Sequence, residues 1–343
     1  MIVKLASIII VSFNGKNLME DCLSSIYKQT YRNFEIIVVD NASIDGSADF
    51  IKSKYPKVRL IRNKVNLGFV GANNIGFKKA KGDYIVLLNQ DTVVHKDWLK
   101  ELINGVSKKN VGACQSKIVF FNKRNVINTS GTITNYLGFG WCGDYNKPDK
   151  GLEEAEITFP SGSSVIFRKE VLNKTGLFDE NFFMYYEDSD LGWRIRLMGY
   201  KITRAPLSVM YHKYKFESNK KRFNQIIKGH KKIFYHERNR ILTLIKNYET
   251  KTLLLILPMF LFVELGLLFY SLLSNWFLEK LEGYYWILRN TNKIIKERKQ
   301  IQRIRKVKDK YIVKYFSDKI EFKEIENSLL IESILNPILA AYW

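Results

Sequence analysis

Ile37-Val-Val-Asp40-Asn-Ala-Ser-Ile-Asp-Gly-Ser47 decides the fold: a β-branched apolar run stops on a carboxylate, and turn and cap residues follow at once. Three other stretches repeat this apolar-then-polar pattern. They are Ser7–Gly15 (SIIIVSFNG), Leu87–Val94 (LLNQDTVV) and Phe183–Arg194 (FMYYEDSDLGWR). Buried strands that end in Asn and Asp build a crevice at the carboxyl edge of a parallel sheet, where α/β proteins bind nucleotides. The fourth stretch adds an acidic cluster of the kind a general base requires.

Outward from these runs, Ile8–Val11, Glu35–Val39, Val58–Ile61 and Tyr84–Leu88 read as strands. Between them, Asn17–Lys28, Ser47–Lys54 and a stretch toward Ala80 read as helices. Strands alternating with helices of this length predict βαβ units, a mostly parallel sheet, and every strand's carboxyl end on one edge. Cys114–Phe159 reads as loops and minor strands, including Lys117–Phe121; Ser161–Arg168 then predicts a strand and Lys169–Gly176 a short helix.

The 343 residues suffice for one large α/β domain and an appendage. The net charge of +21 asks for an anionic partner. Lys213–Arg240 holds ten Lys/Arg against two acids, and Lys293–Lys314 repeats the ratio, so the excess lies away from the crevice. Neither run carries a nucleic-acid-binding motif, and no nucleic acid partner is expected. Three cysteines without metal-ligand or CxxC spacing fit a reducing compartment. The N-terminus reads as a first strand and not a signal peptide.

Thr252–Leu273 is of membrane length and holds a single charge, Glu264, and one proline, Pro258. Lys and Arg on both flanks conflict with a single crossing under the positive-inside rule. A re-entrant or interfacial helix pair on anionic lipid satisfies both facts. The alternative is a buried core helix with Glu264 paired inside.

Asp40 can accept a hydrogen bond from a pyrimidine imide, or serve as an Asx turn residue. Asn66–Gly76 has three glycines and three asparagines in eleven residues and reads as a strand–helix loop bordering a nucleotide-sugar pocket. Asn89-Gln90-Asp91 offers an amide and a carboxylate at a strand end, suited to Mg²⁺ or Mn²⁺ beside a diphosphate, with Asp91 as helix N-cap the alternative. Glu187-Asp188-Ser189-Asp190 opens a helical face of Leu191, Ile195 and Met198. One acid suffices for capping, and a desolvated carboxylate near other acids is poised to take a hydroxyl proton. His212 follows a short strand-like run and can supply a second metal ligand.

Together these stretches, with NLGFVGANNIG and SGSSVIFRKEVLNKTGLFDENFFMYYEDSDLGWR, resemble glycosyltransferase family 2 over about Ser7–His212, and within it the rhamnosyltransferase branch. The resemblance implies a GT-A fold over residues 1–240 and, with the apolar segment, a helical, basic, membrane-associated region over 241–343. It implies donor contacts from Ser12, Asn14, Asp40, Asn66, Gly68, Asn74 and Asn89. Asn89-Gln90-Asp91 would be the DXD-type motif with Asn in its first position, Asp91 and His212 the metal ligands, and Asp188 the catalytic base. It implies inversion at the anomeric carbon and a dTDP-, UDP- or GDP-sugar donor, with dTDP-rhamnose favoured by the branch. The expected acceptor is a saccharide or lipid-linked saccharide, at the cytoplasmic face of the cell membrane.

Overall fold

The computed structural model describes residues 4–213, 229–321, 329 and 331–343. Most of the basic run Lys213–Arg240, namely 214–228, lies outside the described residues. Contacts divide the chain into two compact units, Met1–Thr132 with Gly143–Lys215, and Ile133–Cys142 with Phe216–Trp343. The expected dividing point at residue 240 falls inside a helix of the second unit.

The first unit begins as its hydropathy predicts. Strands β1 (Ala6–Ser12), β2 (Phe34–Asp40), β3 (Arg59–Arg62) and β4 (Tyr84–Leu88) alternate with helices α1 (Lys16–Tyr27), α2 (Ser47–Lys54) and α3 (Gly68–Lys79). These four strands pair in parallel in the order β3-β2-β1-β4. Then come β5 (Thr92–Val94), α4 (Trp98–Val106), β6 (Val111–Phe120) and β7 (Ile127–Thr129). The strands β8 (Thr132–Thr134) and β9 (Gly140–Cys142) form a separate two-stranded sheet that belongs, from Ile133 on, to the second unit. The series continues with β10 (Ala155–Glu156), β11 (Ser164–Arg168), α5 (Lys169–Thr175), α6 (Glu187–Leu197) and β12 (Lys201–His212).

The ten-stranded sheet is mixed, which corrects the expectation of a mostly parallel one. β11 runs antiparallel to both its neighbours, β4 and β6, and β5, β7 and β10 are antiparallel to theirs. The physical reason is the connection: no crossover helix returns the chain before β11, so it enters from the crevice edge and runs back. Its start, not its end, therefore lies beside the end of β4, with Ser164 opposite Leu88.

The core on one side of the sheet joins Ile8, Ile10, Val38 and Val86 to Met19, Leu23 and Ile26 of α1 and to Trp98, Leu99 and Leu102 of α4. Each such side chain contributes about 1.5–3 kcal/mol by leaving water. Trp98 also donates its indole N–H to Ser116 and Ser164 Oγ at 2.8 and 2.9 Å, tying α4 to β6 and β11. This rigid slab fixes the strand ends that form the crevice.

The second unit is helical: α7 (His230–Asn247), α8 (Thr250–Leu273), α9 (Phe277–Arg289), α10 (Thr291–Ile304) and, near the C-terminus, α11 (Asn336–Tyr342). Helix α8 contains Pro258 and covers the apolar segment; it is long and apolar enough to cross a membrane, and only 22% of its most apolar window is buried. Glu264 is nevertheless paired inside the unit, with Arg240, Lys280 and Tyr284. The acid is thus sequestered, while the described residues leave most of the apolar helix uncovered.

Candidate active site

Ser12 and Asp40 end β1 and β2 and stand opposite each other in register. Both are buried, and Ser12 Oγ and Asp40 Oδ1 have no hydrogen-bond partner. Among the described residues Asp40 Oδ2 accepts only the Ser43 N–H, at 3.4 Å. A buried carboxylate oxygen without a donor is costly, and a ligand N–H removes that cost.

The loops beyond these strands hold one another. Asn14, at φ +47°, accepts the Ile44 N–H at 3.0 Å and donates its own N–H to Ser43 Oγ at 3.0 Å. Gln90 accepts the Phe13 N–H and donates to the Phe13 carbonyl, both at 3.1 Å, coupling the β1 loop to the segment after β4. Asn41 donates to Asn66 Oδ1 at 2.8 Å and to the Gly68 carbonyl at 3.1 Å, and accepts the Leu67 N–H at 3.0 Å. Gln90 and Asn41 escaped the sequence reading, although both stand within the quoted motifs. Their signal is a second amide beside an acid at a strand end.

Asn66–Gly76 is a loop only at its start, which corrects the expectation. Helix α3 begins at Gly68, because Asn41 and Asn66 bind the entering backbone and outweigh the low helix propensity of Gly and Asn. Asn74 does not face the crevice chemistry: its amide donates to the Phe178 carbonyl at 2.9 Å and accepts the Phe178 N–H at 3.1 Å. Asn41, Asn66, Gly68, Asn89, Gln90 and Asp91 line one cavity of about 460 Å³, together with Phe69 and Phe183.

Asp91 follows β4, and β12 brings His212 to it, with Nε2 3.3 Å from Asp91 Oδ1. His212 Nδ1 lies 3.0 Å from Asn128 Oδ1, which orients the ring. Burial pushes the Asp91 carboxyl up, but His212 outweighs it through its hydrogen bond and charge, and the carboxyl sits below the ordinary range. Asp91 does not cap α4, whose N-cap position is Asp97. No group of three or more His, Cys, Asp or Glu able to hold a metal occurs among the described residues. A converging carboxylate and imidazole fit an ion that draws its remaining ligands from phosphate and water.

Asp188 lies in the first turn of α6. Its Oδ2 accepts the Gly162 N–H at 3.2 Å, from the lead-in to β11, and its Oδ1 accepts the Ser189 N–H at 2.7 Å. Burial raises its pKa against these bonds. Glu187 beside it is raised further, by burial and by the Asp188 charge, and its Oε2 is buried without a partner. Asp190 is structural: it pairs with Arg194 at 2.8 Å, and Arg194 also donates to the Thr175 carbonyl.

The approach to α6 is bent. Phe183, Tyr185 and Tyr186 all have positive φ, between +60° and +67°, a conformation that non-glycine residues adopt at a cost. It is braced by α3, where the Val70 N–H donates to the Phe183 carbonyl at 3.1 Å. Gly68 makes that approach possible: at φ +70°, a Cβ there would stand 2.4 Å from the Phe183 oxygen.

Residues 7–176 match the family model described as Glycosyl transferase family 2. The chain is 27% identical over 222 residues to the O-antigen biosynthesis protein RfbC of Myxococcus xanthus, covering 60% of this chain and 17% of that protein. It is 28% identical over 208 residues to the poly-beta-1,6-N-acetyl-D-glucosamine synthase of Staphylococcus epidermidis, covering 60% and 49%. An uncharacterized glycosyltransferase of Haemophilus influenzae is 32% identical over 109 residues, 31% of this chain and 34% of that one. The chain thus spans half or less of the length of these curated relatives. Among solved structures, GalNAc-T7 with UDP, GalNAc and Mn²⁺ is similar with a TM-score of 0.57 at 18% identity, covering 73% of this chain and 49% of that one. The mannosyltransferase PcManGT of Pyrobaculum calidifontis, with GDP-Man and Mn²⁺, gives 0.51 at 17%, covering 87% and 85%. On this evidence residues 7–176 match a glycosyl transferase family 2 domain, and the chain has a GT-A-like α/β fold.

Proposed function

We propose that the protein is an inverting glycosyltransferase of surface-polysaccharide or glycan synthesis, acting at the cytoplasmic face of the cell membrane. It moves a hexose, with rhamnose from dTDP-rhamnose as the leading donor, to a hydroxyl of a saccharide or lipid-linked acceptor. The observation that carries this reading is Asp188: a half-buried carboxyl of raised pKa, pinned by Gly162 at the sheet edge that also holds Asp40 and Asp91.

The Asp188 carboxylate takes the proton of the acceptor hydroxyl as that oxygen forms its bond to the sugar C1. The C1–O bond to the diphosphate breaks on the opposite face, and its electron pair leaves with the diphosphate. Ser12 and Asp40 orient the nucleoside through their unpartnered oxygens. Gly68 and Asn66 allow close backbone approach at the mouth of α3. Asp91 and His212 would hold Mg²⁺ or Mn²⁺, which supplies neutralisation of charge on the diphosphate when bound. Phe69 and Phe183 shield the cavity from water, against which a reactive donor must be protected.

The mannosyltransferase and GalNAc-T7 structures carry GDP-Man and UDP, so UDP- and GDP-sugars stand as the alternative donors. Thermal unfolding with dTDP, UDP or GDP, with and without Mn²⁺, separates them, because a ligand of the native state raises the midpoint. Stabilisation by one nucleotide, enhanced by metal and lost in Asp40→Ala, is the expected result; no shift with any nucleotide overturns the reading.

A further inference from the structure

From Leu253 onward helix α8 carries one charge, Glu264, and is otherwise largely apolar, and the second unit covers one stripe of it. Ile256, Met259, Val263 and Glu264 are buried at helical spacing, while Leu254, Leu257, Leu261, Phe262, Leu265 and Phe269 are 42–67% exposed. Helix α9 continues the surface, with Leu278, Leu281, Tyr285 and Leu288 exposed along one stripe. An apolar surface of this extent is stable where an apolar phase covers it. The charge around it selects which: Lys251 in the first turn of α8, Arg289 at the end of α9, and Lys296 and Lys299 of α10 are exposed cations suited to anionic headgroups.

The ion pairs decide how the helices lie. Arg240 of α7 reaches Glu264, more than halfway along α8, and Glu237 of α7 pairs with Lys280 of α9 at 2.6 Å. Lys246 of α7 pairs with Glu297 of α10 at 3.4 Å, and Gln302 of α10 donates to the Lys246 carbonyl at 3.0 Å. The chain thus enters and leaves the α8–α9 pair beside the same charged helix. If α8 crossed a bilayer, α7 and its ions would be drawn into hydrocarbon, an environment that expels them.

We infer that α8 and α9 form an in-plane, monotopic anchor in one leaflet of an anionic membrane, with the Glu264 ion cluster at its water boundary. This deepens the membrane attachment proposed above and rests on that part of the proposal alone.

The test is flotation of the full-length protein with vesicles of phosphatidylcholine plus phosphatidylglycerol, or of phosphatidylcholine alone. Binding about tenfold or more stronger to the anionic vesicles is expected. The double variant Leu254→Asp, Leu261→Asp is expected to lose it with an unchanged unfolding midpoint. Orientation is read by one added cysteine, Lys251→Cys or Ser274→Cys, at the two ends of α8, in a Cys142→Ser background that keeps only the buried Cys22 and Cys114. A membrane-impermeant maleimide added outside sealed vesicles is expected to label both. Labelling of Ser274→Cys only after permeabilisation would show a crossing helix and overturn the in-plane anchor while leaving attachment intact. Absence of flotation overturns the anchor, whether the protein is monomeric or its apolar face is closed by a second copy. Sugar transfer to a soluble acceptor, measured without vesicles, keeps the catalytic reading separate.

Discussion

Asp40 and Glu264 are carboxylates buried to a similar degree, 2% and 7% exposed, in different units of the same chain. Glu264 is surrounded by two cations and a phenol, from Arg240, Lys280 and Tyr284. Asp40 has one oxygen with no partner and the other at 3.4 Å from a single backbone N–H. A buried charge satisfied on all sides serves the architecture, while one left short of donors calls for another explanation, which the proposed nucleotide contact supplies. A related difference separates Asp190, locked to the Arg194 cation, from Asp188 two residues before it, whose oxygens accept the backbone N–H groups of Gly162 and Ser189.

The sharpest way to break that contrast is Asp188→Asn. If Asp188 is the base, kcat falls about 10²–10⁴-fold while nucleotide still raises the unfolding midpoint. A variant that keeps near-full turnover would remove Asp188 from the mechanism. Next in size is Glu264→Leu, which leaves Arg240 and Lys280 without their shared carboxylate. Chemical denaturation should show a loss of about 3–5 kcal/mol. Asp40→Asn is the matched control: it removes a charge that the fold does not use, so stability should hold or rise while the nucleotide-dependent shift disappears. Equal losses of stability in both would erase the distinction.

Gly68→Ala is expected to cost about 1–3 kcal/mol, through positive φ and contact with the Phe183 backbone. It should also weaken donor binding, since Gly68 lines the cavity. An unchanged midpoint and Kd would show that α3 and the Phe183 turn are not held together through this glycine. The smallest effect is in the pH profile. The raised pKa of Asp188 places the acid limb of kcat/KM above the ordinary carboxylate range, and activity rises with pH through it. Stability runs the other way: the native state favours the protonated form, so this group's contribution falls as pH rises from the ordinary carboxylate pKa to the raised one. An acid limb at the ordinary carboxylate value would deny Asp188 its desolvated setting.

The parallel half of the sheet was legible because β1, β2 and β4 are continuous β-branched runs that end in polar residues. The antiparallel half was not, since Ser164–Arg168 has the hydropathy of any buried strand and direction is set by the connection. β6 was read only at Lys117–Phe121 because Gly112, Gln115 and Ser116 interrupt its apolar pattern. The Asp91–His212 encounter is legible in residue types, but its distance depends on the pairing of β5 with β12. Asn74 misled because an amide in a Gly/Asn-rich segment looks the same whether it meets a ligand or clamps a distant backbone.

Because β11 enters antiparallel to β4, Gly162 and Asp188 belong to a different stretch of chain from Ser12, Asp40 and Asn89. The family match, over residues 7–176, takes in Ser12, Asp40, Asn89 and Asp91 and stops before Asp188 and His212. On the proposed mechanism, residues around α6 that meet the acceptor lie outside the matched segment, so a lineage can revise them while the strand ends that carry Ser12, Asp40 and Asn89 stay as they are.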